Sequence, residues 1–206
     1  MRGPVLPDST DVIHRDLNRA YPVIERGEGV YLYDSEGKRY LDGSGGSAAV
    51  TSIGHGVPEV VEAMSRQAMT LACSPTHAFT TTPIEECART IVESFAPAGL
   101  NRVFFCSSGS EANENAVKMA IQYHRERGEP QRQIVISRWN SFHGLTIATL
   151  ALSGHTGRRR KLVSALPQSV HIEPCFAYRH ADPRDEGYGI RSADALDREI
   201  RNLGPE

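Results

Sequence analysis

The 206-residue sequence predicts an α/β fold built on a mainly parallel sheet. Three observations predict it. Short apolar runs at residues 103–106, 134–137 and 170–172 alternate with stretches of helical periodicity. Such alternation implies parallel strands joined by crossover helices, with both faces of the sheet covered. Hydrophobic residues make up 39% and charged residues 23%, a balance that supports a packed core and argues against disorder.

Residues 1–20 are polar and rich in Pro and Asp, which predicts an extended arm with one short helical piece. Residues 30–42 read as a β-hairpin. Tyr31, Tyr33, Tyr40 and Leu41 are strand formers, and Asp34-Ser35-Glu36-Gly37 supplies the turn. Residues 43–56 form a Gly/Ser loop. Its Gly43 to Ala48 stretch meets the pattern G-x-G-x-x-A, but no helix follows directly, as a dinucleotide site requires. Pro58 opens a helix running to about Met69, with Val60, Val61, Met64 and Ala68 inward. Thr82-Pro83-Ile84-Glu85 is a capping box for the next helix, whose apolar face is Ile84, Cys87, Ala88, Ile91, Val92 and Phe95.

Strand 103–106 then leads into a helix over about 110–127, with Ala112, Ala116 and Ala120 as a small stripe that lets it lie close on the sheet. The second strand is followed by a short helix over 146–152 that ends near Gly154, then by the third strand. Ala193, Leu196, Ile200 and Leu203 mark a last helix. The run Arg158-Arg159-Arg160-Lys161 reads as a solvated loop. Cys87 and Cys106 read as small core residues, and no Cys/His spacing suggests a metal. With a net charge of −2 and no long apolar run, neither nucleic acid nor a membrane is an expected partner, and a reduced cytoplasm is the expected location.

Two stretches carry the chemistry. At Ser107-Ser108-Gly109-Ser110 an apolar strand turns into a helix, where free N–H groups and the helix dipole favour an anion such as a phosphate. The same residues are also ordinary helix-cap grammar. They do not form a P-loop, because no Gly-Lys-Ser/Thr follows. Ser141-Phe142-His143-Gly144 follows the second strand. Phe142 reads either as core or as a platform for a flat ring, and His143 as a hydrogen-bonding or turn-shaping neighbour. Both stretches sit at the carboxyl edge of a parallel sheet, the ligand-binding edge of such folds. A phosphate at one and a planar ring at the other describe a phosphorylated aromatic cofactor, and pyridoxal phosphate fits.

At these residues the sequence resembles the class III aminotransferases of the pyridoxal-phosphate fold type I group. YPVIERGEGVYLYDSEGKRYLD (21–42) resembles their N-terminal hairpin, and Gly54-His55-Gly56 with Pro58 their G-H-x-x-P turn. SSGSEANENAVKMA resembles their phosphate segment and SFHG their ring-stacking segment. The resemblance implies an incomplete fold type I large domain, three-layered with a mainly parallel sheet, over residues 51–206. An N-terminal arm, hairpin and Gly/Ser loop over 1–50 would precede it. It implies pyridoxal 5'-phosphate held at Gly109 and Ser110, with Ser108 lining the turn, Phe142 stacked on the ring and His143 beside it. It further implies an amine or amino acid donor, a 2-oxo acid acceptor and a homodimer, with loop 74–81 near the subunit interface and 44–47 near the substrate.

The sequence departs from the family pattern in one respect that matters. Its three lysines are Lys38 in the hairpin turn, Lys118 inside the phosphate helix and Lys161 in the basic run. None is placed like the family's Schiff-base lysine, so no catalytic residue is assigned. The chain by itself is expected to be poorly soluble or partly disordered and not to transaminate. A non-catalytic cofactor-binding or dimerising pseudoenzyme module and a related fold type I mutase stand as alternatives.

Overall fold

A computed structural model describes residues 10–180 and 186–204. The chain divides into two compact units, Met1–Cys87 and Ala88–Glu206. Among the described residues, no helix is long and apolar enough to cross a membrane. The expected N-terminal arm lies outside the described residues over 1–9; residues 10–20 form bends and turns and no helix.

The first unit holds a three-stranded antiparallel sheet in the order β1 (Ile24–Glu28), β2 (Tyr31–Asp34), β3 (Arg39–Leu41). The β2–β3 hairpin is the expected one, with Tyr31 opposite Leu41 and Tyr33 opposite Arg39. Its turn is clamped by Asp34, whose carboxylate accepts from Glu36 N (3.0 Å), Lys38 N (2.9 Å) and the Tyr40 hydroxyl (2.7 Å). The first strand is additional. IERGE shows no apolar alternation, and its strand form comes from pairing with β2 at Ile24↔Asp34 and Glu28↔Tyr31. The loop that follows is gathered by Asp42, which accepts from Ser44 N (3.2 Å), Gly46 N (2.6 Å) and His55 Nε2 (3.0 Å). Inside it Ser47, Ala48 and Ala49 hold φ of 72°, 59° and 63°, a left-handed run of non-glycine residues that stores strain.

Two helices follow, α1 (Pro58–Thr70) and α2 (Thr82–Ser94). α1 opens on Pro58 as expected, but its apolar stripe is not inward: Val60, Val61 and Met64 are exposed, Met64 at 68%. Helical spacing creates the stripe, but burial needs a second surface, and no described residue closes over these side chains. α2 includes Thr82 in its first turn, and the Glu85 carboxylate accepts from the Thr80 hydroxyl (2.6 Å), so the expected Thr82–Glu85 capping box does not form. Cys87 is exposed, as is Cys106 beyond it, which corrects the expectation of core thiols.

The second unit contains α3 (Gly109–Glu126), β4 (Ile136–Arg138), α4 (Ile147–Leu152), α5 (Thr156–Arg159), β5 (Val170–Ile172), α6 (Ala177–His180) and α7 (Tyr188–Leu203). β4 and β5 pair in parallel, Ile136↔Val170 to Arg138↔Ile172, and a bridge between Trp139 and Gly154 extends the edge. The small core is Leu150, Ala151 and Ile172, together with fully buried Thr149 and Ser153. Beside it, an open groove of about 620 Å³ is lined by Val117, Ile134, Val135, Ala148, Leu152 and Val170.

Residues 103–106 form no ladder, contrary to expectation. Phe104 is 64% exposed. A strand exists through its hydrogen-bonded neighbour, and no described segment pairs with this one. α3 also presents another face than expected. Ala112, Ala116 and Ala120 are exposed, while Asn113, Glu114, Val117, Ile121 and His124 are half-buried.

Candidate functional site

The site lies in the second unit, where α3 begins. Ser108 is its N-cap, in extended conformation, and its hydroxyl accepts from Glu111 N (3.2 Å). The Glu111 carboxylate reaches back to Ser107 N (2.8 Å). This reciprocal pair satisfies two donors of the turn. The next two, the N–H groups of Gly109 and Ser110, find no acceptor among the described residues, as expected for the first turn of a helix. The dipole of this 18-residue helix adds partial positive charge at the same point, and Arg125 complements it at the far end.

Open space adjoins Gly109. Its φ is not in the left-handed region, and a Cβ built on it meets nothing within 4 Å. Neither backbone conformation nor a neighbour demands glycine here, although glycine costs helix stability. The position is open, and two free N–H groups at a helix start are a setting that suits an anion.

The Ser141–Gly144 segment docks against this helix start, so the structure brings both predicted stretches together. Three successive peptide planes are held. His143 N donates to Ser153 Oγ (2.8 Å), the His143 carbonyl accepts from Asn113 Nδ2 (2.7 Å), and Leu145 N donates to Ser110 Oγ (3.1 Å). Gly144 sits at φ 139°, and a Cβ there would lie 2.6 Å from Ser110 Oγ, so only glycine permits this approach. The Thr146 hydroxyl, N-cap of α4, donates to Glu114 Oε1 (2.5 Å). Ser153 is completely buried and donates onward to Thr149 O (2.8 Å).

Phe142 stands out from this clamped backbone, 56% exposed, with the Arg158 guanidinium 4.9 Å from its ring centroid. The His143 ring is half-buried and makes no hydrogen bond to the described residues. Trp139 is turned elsewhere, stacked on His171 at 4.3 Å. Burial, then the nearby Arg159 charge, holds the His171 pKa below its ordinary value.

Sequence reasoning missed Asn113, Glu114 and Ser153. Their partners lie 30, 32 and 10 residues away, beyond any local signal. It also misread Arg159. That residue is buried, not solvated. Its guanidinium donates to the carbonyls of Leu150 (3.1 Å), Ala151 and Ser153 (2.8 Å), satisfying acceptors at the end of α4. Lys118 is exposed and donates to Asn115 Oδ1 (3.2 Å). Among the described residues no group of His, Cys, Asp and Glu is placed to hold a metal ion.

The family model described as aminotransferase class-III matches residues 12–204. An uncharacterised aminotransferase, YodT, of Bacillus subtilis is 38% identical over 198 residues, covering 96% of this chain and 44% of the relative. The putrescine–pyruvate aminotransferase of Pseudomonas aeruginosa is 36% identical over 204 residues, covering 98% of this chain and 44% of the relative. A crystal structure of the omega transaminase from Pseudomonas jessenii in complex with PMP superposes with a TM-score of 0.84 at 33% identity, over 90% of this chain and 41% of that one. The chain thus spans less than half the length of the proteins it matches.

Proposed function

This chain belongs to the class III aminotransferase family, and on that premise we propose that it carries the phosphate and ring subsites for pyridoxal 5'-phosphate. Gly109 and Ser110 hold the phosphate through their N–H groups, with Ser108 lining the turn. Phe142 lies against the pyridine ring and His143 sits beside it. The observation that carries this reading is the open cradle at Gly109, with two free donors and the Phe142 segment tied to the same helix turn. When bound, the cofactor supplies the electron sink needed to move an amino group from an amine or amino acid donor to a 2-oxo acid. The residues here bind its phosphate, orient its ring and shield one ring face from water.

Residues 51–206 are then the first part of a cofactor-binding large domain, and 1–50 an arm, hairpin and loop ahead of it. The whole enzyme is a cytoplasmic homodimer, with loop 74–81 near the subunit interface and 44–47 near the substrate. None of Lys38, Lys118 and Lys161 belongs to the cradle, so these 206 residues alone bind the cofactor without linking it covalently and do not transaminate.

Titration of the purified chain with pyridoxal phosphate, followed by absorbance, tests the reading. Saturable binding is expected. Gly109→Asp should abolish it by repulsion and steric block, and borohydride should leave no cofactor fixed to lysine. Unsaturable binding, or wild-type affinity in G109D, refutes the site. A borohydride-fixed lysine together with turnover of an amine refutes the inactivity of this chain.

A further inference from the structure

The geometry points to Asn113 as a positioning residue that couples the phosphate subsite to the ring subsite; this rests on the cofactor reading above. Asn113 lies one helical turn beyond Ser110, so both face the same neighbour. That neighbour is the 143–145 backbone: Asn113 Nδ2 donates to His143 O at 2.7 Å and Ser110 Oγ accepts from Leu145 N at 3.1 Å. Glu114, on the same face, takes the Thr146 hydroxyl at 2.5 Å.

The half-buried amide of Asn113 therefore fixes the plane of the peptide after His143. Ser153 fixes the plane before it through His143 N at 2.8 Å. The planes on either side of Phe142 are held by Gly154 N on Ser141 O (3.1 Å) and by Ser153 on His143 N, so Phe142 leaves a clamped segment, and Asn113 ties that segment to α3 and thereby sets it relative to the N–H groups of Gly109 and Ser110. A ligand with a phosphate at one end and a ring at the other needs that relation. A ligand that is phosphate alone does not. Asn113 touches neither ligand end itself and acts through the backbone it holds.

Asn113→Leu keeps the size of the side chain, removes its N–H donors and adds no charge near the phosphate seat. Losing one hydrogen bond to a part-buried carbonyl should weaken pyridoxal phosphate about tenfold. Inorganic phosphate, titrated in parallel, should keep its affinity to within about twofold. Asn113→Ala should behave the same way. In the Phe142→Ala background, N113L should cost almost nothing more, and the near-ultraviolet circular dichroism of bound cofactor should weaken in both variants. Parallel loss of both ligands means a merely structural role and overturns the inference, as does an unchanged affinity for pyridoxal phosphate. Independent, multiplying effects of N113L and F142A also overturn it. A wild-type chain that binds neither ligand overturns the cofactor reading, whereas a wild-type chain that binds both with N113L neutral overturns the coupling alone.

Discussion

Gly109→Ala is the sharpest test of why glycine stands at the start of α3, because its two consequences have opposite signs. In the free chain the new Cβ meets nothing within 4 Å and the backbone is not in the left-handed region. Alanine therefore enters without strain and removes the entropic cost of glycine in a helix, a gain of up to about 1 kcal/mol. For a chain of this size that corresponds to a rise in Tm of about 2–4 °C. The same methyl group occupies the opening in front of the N–H groups of Gly109 and Ser110. Displacing an anion from one charge-assisted hydrogen bond costs about 1.5–3 kcal/mol, or about 10- to 150-fold in affinity. A thermal melt without ligand and a titration with pyridoxal phosphate measure the two effects on one sample. If the melt rises and the affinity stays at wild type, the space before Gly109 is not the phosphate seat. If the melt falls, the account of glycine at this position is wrong.

Two further predictions concern what stabilises each unit by itself. Replacing Arg159 with Met should leave the carbonyls of Leu150, Ala151 and Ser153 without their donor and destabilise the second unit by about 3 kcal/mol, read by denaturant unfolding; a loss under about 0.5 kcal/mol contradicts a buried capping role. In the first unit, Asp34 is held below the ordinary carboxylate range, first by the Tyr40 hydroxyl, and Asp42 likewise, first by His55. A depressed folded pKa gives stability that is complete above the unfolded value of about 4 and is lost as pH falls through the folded value. Amide protection in the β2–β3 hairpin and the 43–55 loop should therefore decline below about pH 4. It should do so less in the Asp34→Asn/Asp42→Asn double variant; identical acid profiles for the two proteins would sink this account.

Much of the fold was legible because its signals are local. The β2–β3 hairpin, the proline start of α1, the cap of α3 and the extent of β5 each depend on residues within a few positions of one another. The errors share the opposite cause. Residues 103–106 have strand composition but no described partner, so no ladder forms. β1 has no strand composition and forms one because β2 lies beside it. Arg159 sits in a basic run that looks solvated, and only the three carbonyls gathered at the end of α4 make its burial favourable.

The candidate site divides along the same line. By itself the sequence determined that a helix starts near Ser110, that the turn before it is small and polar, and that an aromatic residue follows a second strand. Each of these is a property of a few adjacent residues. Only the tertiary structure decided that the two stretches meet, that Asn113 and Ser153 lock the intervening peptide planes, and that the space before Gly109 stays open. Those relations depend on hydrogen bonds and clearances between groups 10 to 35 residues apart, and no local periodicity encodes such distances.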